Sequence, residues 1–474
     1  MPILRYNGRM KRRSARHLSD QLTGGPIVRS LLRLAWPVML ANLFQTFYNF
    51  ADRFWLARYG TTEIAALALS WPLIFLVLSL GSGLTVAGTA LVAQYTGARR
   101  EEEANLASGQ VVAFTGLLAV VFAAGGVFAA RPILGLMGGE ASLTAAAATY
   151  LQIIYAGIPL MFGTFVVTAL LNGVGDTVTP MILMGFSVAL NVVLDPLLIF
   201  GWGPFPEWGI AGAAAATIFS RGVLSVVGFA LLFSGRLGIH IQPRHLRLRW
   251  NLVRQIISIG GMASIGQTGT SLGFAIMNGA LARIGTAVLS AFGIGNAFIS
   301  IALMPVMGLG QATATMVGQN LGAEEPRRAR HSAWAGIVLS SLVLASAAVL
   351  VIQLREHLMQ IFVSDPEVIA IGIQMLYLVA FAFPFMGIIQ IVMGVYQGSG
   401  HTVYSMFFGL FRLWALRVPL VFLLAFTFGF GASGVWWAMF GSNAGTAAVA
   451  LTLFLSNNWT HRVIKTPRDF SEAA

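Results

Sequence analysis

Apolar side chains run through this chain in blocks too long and too continuous for one face of a soluble helix. Twelve stretches stand out: 31–57, 64–96, 105–130, 145–171, 180–201, 209–234, 253–282, 287–318, 331–354, 368–396, 402–429 and 433–456. Blocks of 18 or more apolar residues read as transmembrane helices. The alternating pattern of a membrane β-barrel is absent, which predicts an all-α integral membrane protein of 12 transmembrane helices. The two longest stretches predict tilt or a portion outside the bilayer.

Composition agrees. Of 474 residues, 57% are hydrophobic and 10% charged, whereas a soluble chain is about a quarter charged. Glycine, at 53 residues, exceeds the usual share of about 7%, as expected where helices pack closely or unwind. Cysteine is absent, which removes disulfides, iron–sulfur clusters and thiol nucleophiles. Residues 1–30 hold no short apolar core followed by a small-residue cleavage site, so the first long helix is expected to act as the anchor.

A net charge of +12 invites a nucleic-acid reading until the charges are placed. Arg5, Arg9, Lys11, Arg12, Arg13, Arg16, Arg29 and Arg33 precede or open the first helix against one acid, Asp20. Arg236, Arg244, Arg247, Arg249 and Arg254 follow the sixth helix, and Arg462, Lys465 and Arg468 close the chain. With 12 spans these basic segments share one side, so the positive-inside rule predicts both termini in the cytoplasm. The basicity is topological.

The chain repeats itself. "LARYGT" (56–61) returns as "LARIGT" (281–286), an offset of 225. The same offset carries Gln94, Gly97 and Ala98 onto Gln319, Gly322 and Ala323, and Pro159 and Met161 onto Pro384 and Met386. "GVGDTV" (173–178) falls on "GSGHTV" (398–403), and Gly209 on Gly434. Two homologous six-helix lobes follow, pseudo-symmetric and of the same orientation because each holds an even number of spans. The expected organisation is a basic cytoplasmic tail (1–30), an N-lobe (31–234) carrying a cation site, a basic cytoplasmic linker (235–252), a C-lobe (253–456) and a cytoplasmic tail (457–474).

The repeat provides an internal control. Only two of the 17 acids, Asp52 and Asp195, fall within the predicted membrane, both in the first lobe. Their repeat partners are Met277 and Leu420, and that of Asn191 is Leu416. A carboxylate in hydrocarbon is costly and reads as functional. Asp52 lies ~22 Å beyond Pro37 and Asp195 ~24 Å beyond Thr179, at 1.5 Å per residue. Both therefore reach the outer half of a ~30 Å layer. Asn191 lies one turn from Asp195 on the same face, and Thr217 comes to a similar depth. Two carboxylates, an amide and a hydroxyl suit a small hard cation, and the same carboxylates can instead carry protons. The alternative for Asp52 is a local ion pair with the adjoining Arg53. Asn191 and Thr217 have the alternative of simple interhelical hydrogen bonds.

Arg221, Arg412 and Arg417 also fall within predicted spans. Snorkelling or pairing within the bundle is one reading; lining a cavity and holding an acid or an anionic substrate group is the other. Pro37 removes a backbone hydrogen bond from the first helix, as a gating hinge or a fixed kink.

"NGVGDTVTP" (172–180), "NVVLDPLLIFG" (191–201) and "GIAGAAAATIFS" (209–220), with Pro37 fifteen residues before Asp52, resemble the multidrug and toxic compound extrusion (MATE) family over about residues 25–456. The resemblance implies a 12-helix transporter that alternates between outward- and inward-open forms. It exports amphiphilic or cationic compounds in exchange for protons or sodium. In the branch resembling DinF, the cation site lies in the N-terminal lobe. The matching positions are Asp52, Asn191, Asp195 and Thr217, with Pro37 at the bend. The absence of acids in the second lobe's helices fits that branch rather than the one resembling NorM.

A secondary active antiporter is thus expected, not an enzyme. No cofactor is expected beyond the coupling ion, H+ or Na+; were that ion sodium, Asp52, Asn191, Asp195 and Thr217 would be its metal ligands. The expected partners are small amphiphilic or cationic substrates and the lipid bilayer, with no nucleic acid. The chain is expected to work as a monomer, multi-pass in the cell (inner or plasma) membrane. A flippase for a lipid or lipid-linked oligosaccharide is the alternative, favoured if the three membrane arginines line one cavity. An enzyme is disfavoured: no His-Glu-x-x-His, Gly-x-Ser-x-Gly or GxxxxGK[ST] occurs. A channel would not require one asymmetric acidic site in two homologous lobes.

Overall fold

A computed structural model describes residues 18–137 and 140–464. The basic positions Arg5 to Arg16, Lys465 and Arg468 lie outside the described residues. Among these the secondary structure is helical, with no strand. The first lobe's sequence forms α1 (Ile27–Tyr59), α2 (Thr61–Gly97), α3 (Glu101–Met137), α4 (Ala141–Ala156), α5 (Ile158–Val174), α6 (Val178–Ile199) and α7 (Ile210–Phe233). The second forms α8 (Trp250–Ile284), α9 (Thr286–Gly322), α10 (Pro326–Phe362), α11 (Pro366–Ala380), α12 (Phe383–Gly398), α13 (Thr402–Thr427) and α14 (Gly431–Leu455).

Eleven of the predicted spans are present as nine single helices and two bent pairs that are long and apolar enough to cross a membrane. The 35-residue α8 is the twelfth by length, its polar Gln267, Thr268, Thr270 and Ser271 lowering its hydropathy. Two predicted spans are broken. The 145–171 stretch bends by 49° between α4 and α5, and the 368–396 stretch by 54° between α11 and α12. The physical cause recurs: Pro159 and Pro384 stand in the first turn of the second segment of each pair, where a missing N–H is harmless after a break but not within a helix. Helices of 37 residues are ~55 Å long and extend beyond a ~30 Å hydrocarbon layer, which accounts for α2, α3, α9 and α10. Outward faces are apolar, with Phe128, Leu136 and Val120 exposed, as lipid requires.

The chain divides into two compact units. Among the described residues, one comprises 18–21 and Leu40–Ser264; the other comprises Leu22–Met39 and 265–464. These units differ from the two sequence lobes at two points, and the points are equivalent: Met39 plus the offset of 225 is Ser264. The opening of α1 belongs to the second unit, where Leu31, Leu34 and Ala35 pack with Leu309, Ala312 and Met316. There Gly308 lets α9 approach the Ala35 carbonyl so closely that a Cβ would lie 2.9 Å from it. The opening of α8 belongs to the first unit, where Gly83 and Gly260 permit close contact and Ser264 Oγ donates to the Leu80 carbonyl at 3.0 Å. Each first helix thus covers small-residue surface on the unit that its remaining turns do not join.

Linker residues 235–252 are anchored within the first unit. Gln110 of α3 donates from Nε2 to the carbonyls of His245 (2.7 Å) and Arg247 (2.8 Å) and accepts from Arg249 N–H at 2.6 Å. Glu102 meets Arg244 and His245, each at 3.0 Å. Gly109 makes room, since a Cβ there would fall 2.6 Å from His245.

Candidate cation site

In the first unit, polar side chains of α1, α6 and α7 meet in one cluster. Small residues allow the approach. Gly212 of α7 lies against the backbone of α6, where a Cβ would stand 2.2 Å from the Leu198 carbonyl. Ala213, Ala214 and Ala216 continue that face, fully or almost fully buried. Ser187 Oγ donates to the Ser220 carbonyl at 2.9 Å, tying α6 to α7. Tyr48 OH donates to the Thr217 carbonyl at 3.2 Å, tying α1 to α7.

These contacts bring together the four predicted residues. Asn191 Nδ2 donates to Asp195 Oδ1 at 3.0 Å, and both side chains are 0% exposed. Thr217 Oγ1 donates to Asp52 Oδ2 at 3.4 Å. Asp52 in turn interacts with the side chains of Asp195 and Asn191. One oxygen of each remains: Asp52 Oδ1, Asn191 Oδ1 and Asp195 Oδ2 are buried and have no hydrogen-bond partner among the described residues. Unpartnered buried oxygens are costly, and two carboxylates in contact repel unless a cation lies between them. Either a proton or a small hard cation answers that need.

Arg53 does not pair with Asp52. Its exposed guanidinium lies over the Trp71 ring, 5.9 Å from the centroid, because consecutive residues of a helix point ~100° apart. Arg221 belongs to this cluster: its Nη2 donates to Gln45 Oε1 at 2.7 Å, and its guanidinium lies 4.8 Å from the Tyr48 ring centroid. Arg412 and Arg417 belong to the second unit. Pro37 stands apart from the cluster, four turns earlier on α1, which runs unbroken through it.

Gln45, Tyr48 and Asn49 are the members that sequence reading missed. Gln45 Nε2 also donates to Asn49 Oδ1 at 3.2 Å. Gln45, Tyr48, Asn49 and Asp52 lie at i, i+3, i+4 and i+7, a polar stripe along one face of α1. That spacing was the available signal.

With this geometry in place, the relatives are informative. The MatE family model matches residues 37–197 and again 263–423, the two halves of the repeat. The probable multidrug resistance protein YpnP of Bacillus subtilis (strain 168) is 29% identical over 417 residues, covering 87% of this chain and 91% of its own. A Shewanella oneidensis protein described as an FAD transporter is 28% identical over 409 residues, covering 85% and 89%. Among solved structures, a MATE protein in the straight conformation superposes with a TM-score of 0.87 at 22% identity, covering 93% of this chain and 98% of its own. That likeness shows the 12-helix fold. The chain therefore belongs to the MatE family: it is a multi-pass membrane transporter of the MATE type and not an enzyme.

Proposed function

We propose that the protein is a secondary active antiporter exporting amphiphilic or cationic compounds by alternating access in exchange for protons or sodium ions. The observation that carries this reading is the set of three unpartnered buried oxygens, on Asp52, Asn191 and Asp195, beside the Thr217 hydroxyl. Relatives described as multidrug resistance proteins support the substrate class. The expected setting is the cell membrane, with both termini cytoplasmic because the basic segments lie on one side. A single copy is sufficient, since all four residues come from one unit.

In this reading the coupling cation is cargo. It enters from outside, loads the cluster and removes the repulsion between Asp52 and Asp195. Asp52 and Tyr48 lie on α1, so loading alters what holds the outer turns of that helix against α6 and α7. Pro37 lacks an N–H and so donates no hydrogen bond within α1. It lies two residues before the point where α1 passes from one unit to the other. Bending there narrows the first lobe's cavity and releases substrate outward; the lobes then expose the cluster inward and the cation leaves.

The test is efflux of ethidium from proteoliposomes, driven by a pH gradient alone and then by a sodium gradient alone. One gradient drives wild-type efflux, and Asp195→Asn, nearly isosteric but uncharged, abolishes it. Undiminished gradient-driven efflux by Asp195→Asn would refute the coupling assignment. If neither gradient moves the dye, flipping of a lipid-linked oligosaccharide in the same liposomes becomes the better reading.

A further inference from the structure

The second unit holds two arginines within α13, and nothing near them in sequence neutralises either. No Asp or Glu occurs in α8, α9, α13 or α14. Arg417 is 3% exposed, and its Nε donates to Ser442 Oγ at 3.0 Å. Arg412 Nε is buried with no partner, and the two guanidinium charges lie close enough to act on one another. Among the described residues neither forms an ion pair. A guanidinium carries five N–H donors, and an uncompensated charge at membrane depth is expensive.

The backbone adds a second observation. Residues 411–417 form a π-helical turn, a rare feature that is enriched at functional sites. In an α-helix, residues five apart lie ~140° from one another around the axis. A π-turn closes its hydrogen bonds from i to i+5, so Arg412 and Arg417 stand one above the other. The turn places both charges on one face.

The repeat supplies a third. Ser442 is the offset partner of Thr217. In the first unit that hydroxyl faces the Asp52 carboxylate; in the second it faces the Arg417 guanidinium. One turn further along α14, the buried Thr446 hydroxyl has no partner. The same scaffold position serves opposite charges in the two units.

We propose that Arg412 and Arg417 form an anion-binding site in the second unit that takes the phosphate or carboxylate group of a solute. Planar guanidinium forks suit such oxyanions, which they bind in bidentate fashion. Arg412 lies ~15 Å and Arg417 ~22 Å along α13 from Thr402, deeper than the headgroup of a lipid in the surrounding bilayer. A solute entering the protein is therefore the fitting source. Binding of the anion is independent of the antiport reading; only its role as cargo rests on that reading.

The test is equilibrium binding of riboflavin and of its monophosphate FMN, which differ by one phosphate, to the purified full-length protein. Arms with inorganic pyrophosphate as competitor, and with nanodiscs containing phosphatidic acid in place of phosphatidylcholine, separate a solute phosphate from a lipid phosphate. Wild type is expected to bind FMN at least ~10-fold more tightly than riboflavin, the scale of a charge-assisted contact. Pyrophosphate competes, and Arg412→Gln with Arg417→Gln removes the preference. Arg412→Lys with Arg417→Lys keeps the charge without the fork and reduces the preference to a few-fold, which covers the case in which the glutamine variant fails to fold. Asp195→Asn leaves the preference intact, so loss of ion coupling and loss of the anion site are read separately. Arginine-dependent binding of phosphatidic acid alone would overturn the assignment of the site to a solute. Equal binding of all phosphate and phosphate-free probes, or a preference unchanged by both arginine variants, would overturn the proposal.

Discussion

In the first unit a carboxylate pair, an amide and a hydroxyl meet between α1, α6 and α7. At the corresponding positions of the second unit stand Met277, Leu416, Leu420 and Ser442, and the buried charge nearby is positive. The helical plan is common to both, down to the broken fourth span and the exchanged opening of the first helix. A feature needed for folding alone would be present in both. The same helical scaffold thus accommodates buried charge of either sign.

The largest effect is expected where the comparison is sharpest. Asp52→Asn is predicted to reduce gradient-driven efflux by at least ~100-fold, the scale of a lost buried charge interaction of several kcal/mol. Met277→Leu, a volume-conserving change at the equivalent buried position, leaves efflux within about two-fold. Initial rates of ethidium efflux at matched protein levels check both.

Next come two repeat-equivalent glycines. At Gly398 a Cβ would stand 2.1 Å from the Ala314 carbonyl, a backbone atom, whereas at Gly173 the nearest atom is the Val92 Cβ at 2.9 Å. Gly398→Ala is predicted to destabilise by ~1–3 kcal/mol, and Gly173→Ala by less, because its overlap is the milder of the two. Thermal unfolding in detergent ranks them, and an equal loss would contradict the asymmetry.

A smaller, reciprocal pair tests the two hydroxyls. Thr217→Ala removes a long 3.4 Å hydrogen bond to Asp52 and is expected to weaken ion-coupled efflux a few-fold without changing FMN binding. Ser442→Ala is expected to weaken FMN binding a few-fold without changing the ion dependence. Crossed effects would break the separation of the units.

The smallest effect lies in the turn before α13. In "GVGDTV" Asp176 caps the following helix, accepting from Thr179 N–H at 3.0 Å and from its hydroxyl at 2.6 Å. In "GSGHTV" the same place holds His401, whose Nδ1 lies 3.1 Å from Ser399 Oγ. Burial, followed by the charge of His461, holds the His401 imidazole below its ordinary range. The unfolded chain then binds the proton more readily, so stability is full above about pH 6.5 and declines as pH falls below it. His401→Gln is predicted to flatten that decline in unfolding temperatures measured from pH 8 to 5.

Hydropathy made the spans legible because lipid demands unbroken apolar length, and the repeat made the two lobes legible. The breaks at Gly157 and at Phe381–Ala382 were hidden, since a bend changes hydrogen bonding without changing hydropathy. The proline pair Pro159 and Pro384 was visible, but only as evidence of the repeat. The π-turn at Phe411–Arg417 was equally hidden: its register depends on which carbonyl each N–H meets. Asp52, Asn191, Asp195 and Thr217 were legible because charge and amides are conspicuous in apolar helices. Gln45 and Tyr48 were marked only by their helical spacing from Asp52, since their partners Arg221 and Thr217 are 176 and 169 residues away. The exchange of helix openings at Met39 and Ser264 had no sequence signature beyond the small residues that permit it.

Cation release from the purified protein on adding ethidium tests the coupling of substrate to ion without a membrane gradient. Proton release is followed in weakly buffered solution and sodium release with a radioactive tracer. Wild type is expected to release one of these ions, the variant carrying Arg412→Gln and Arg417→Gln to release it equally, and Asp195→Asn to release none. Release that persists in Asp195→Asn, or that disappears only when the arginines are changed, would contradict that coupling.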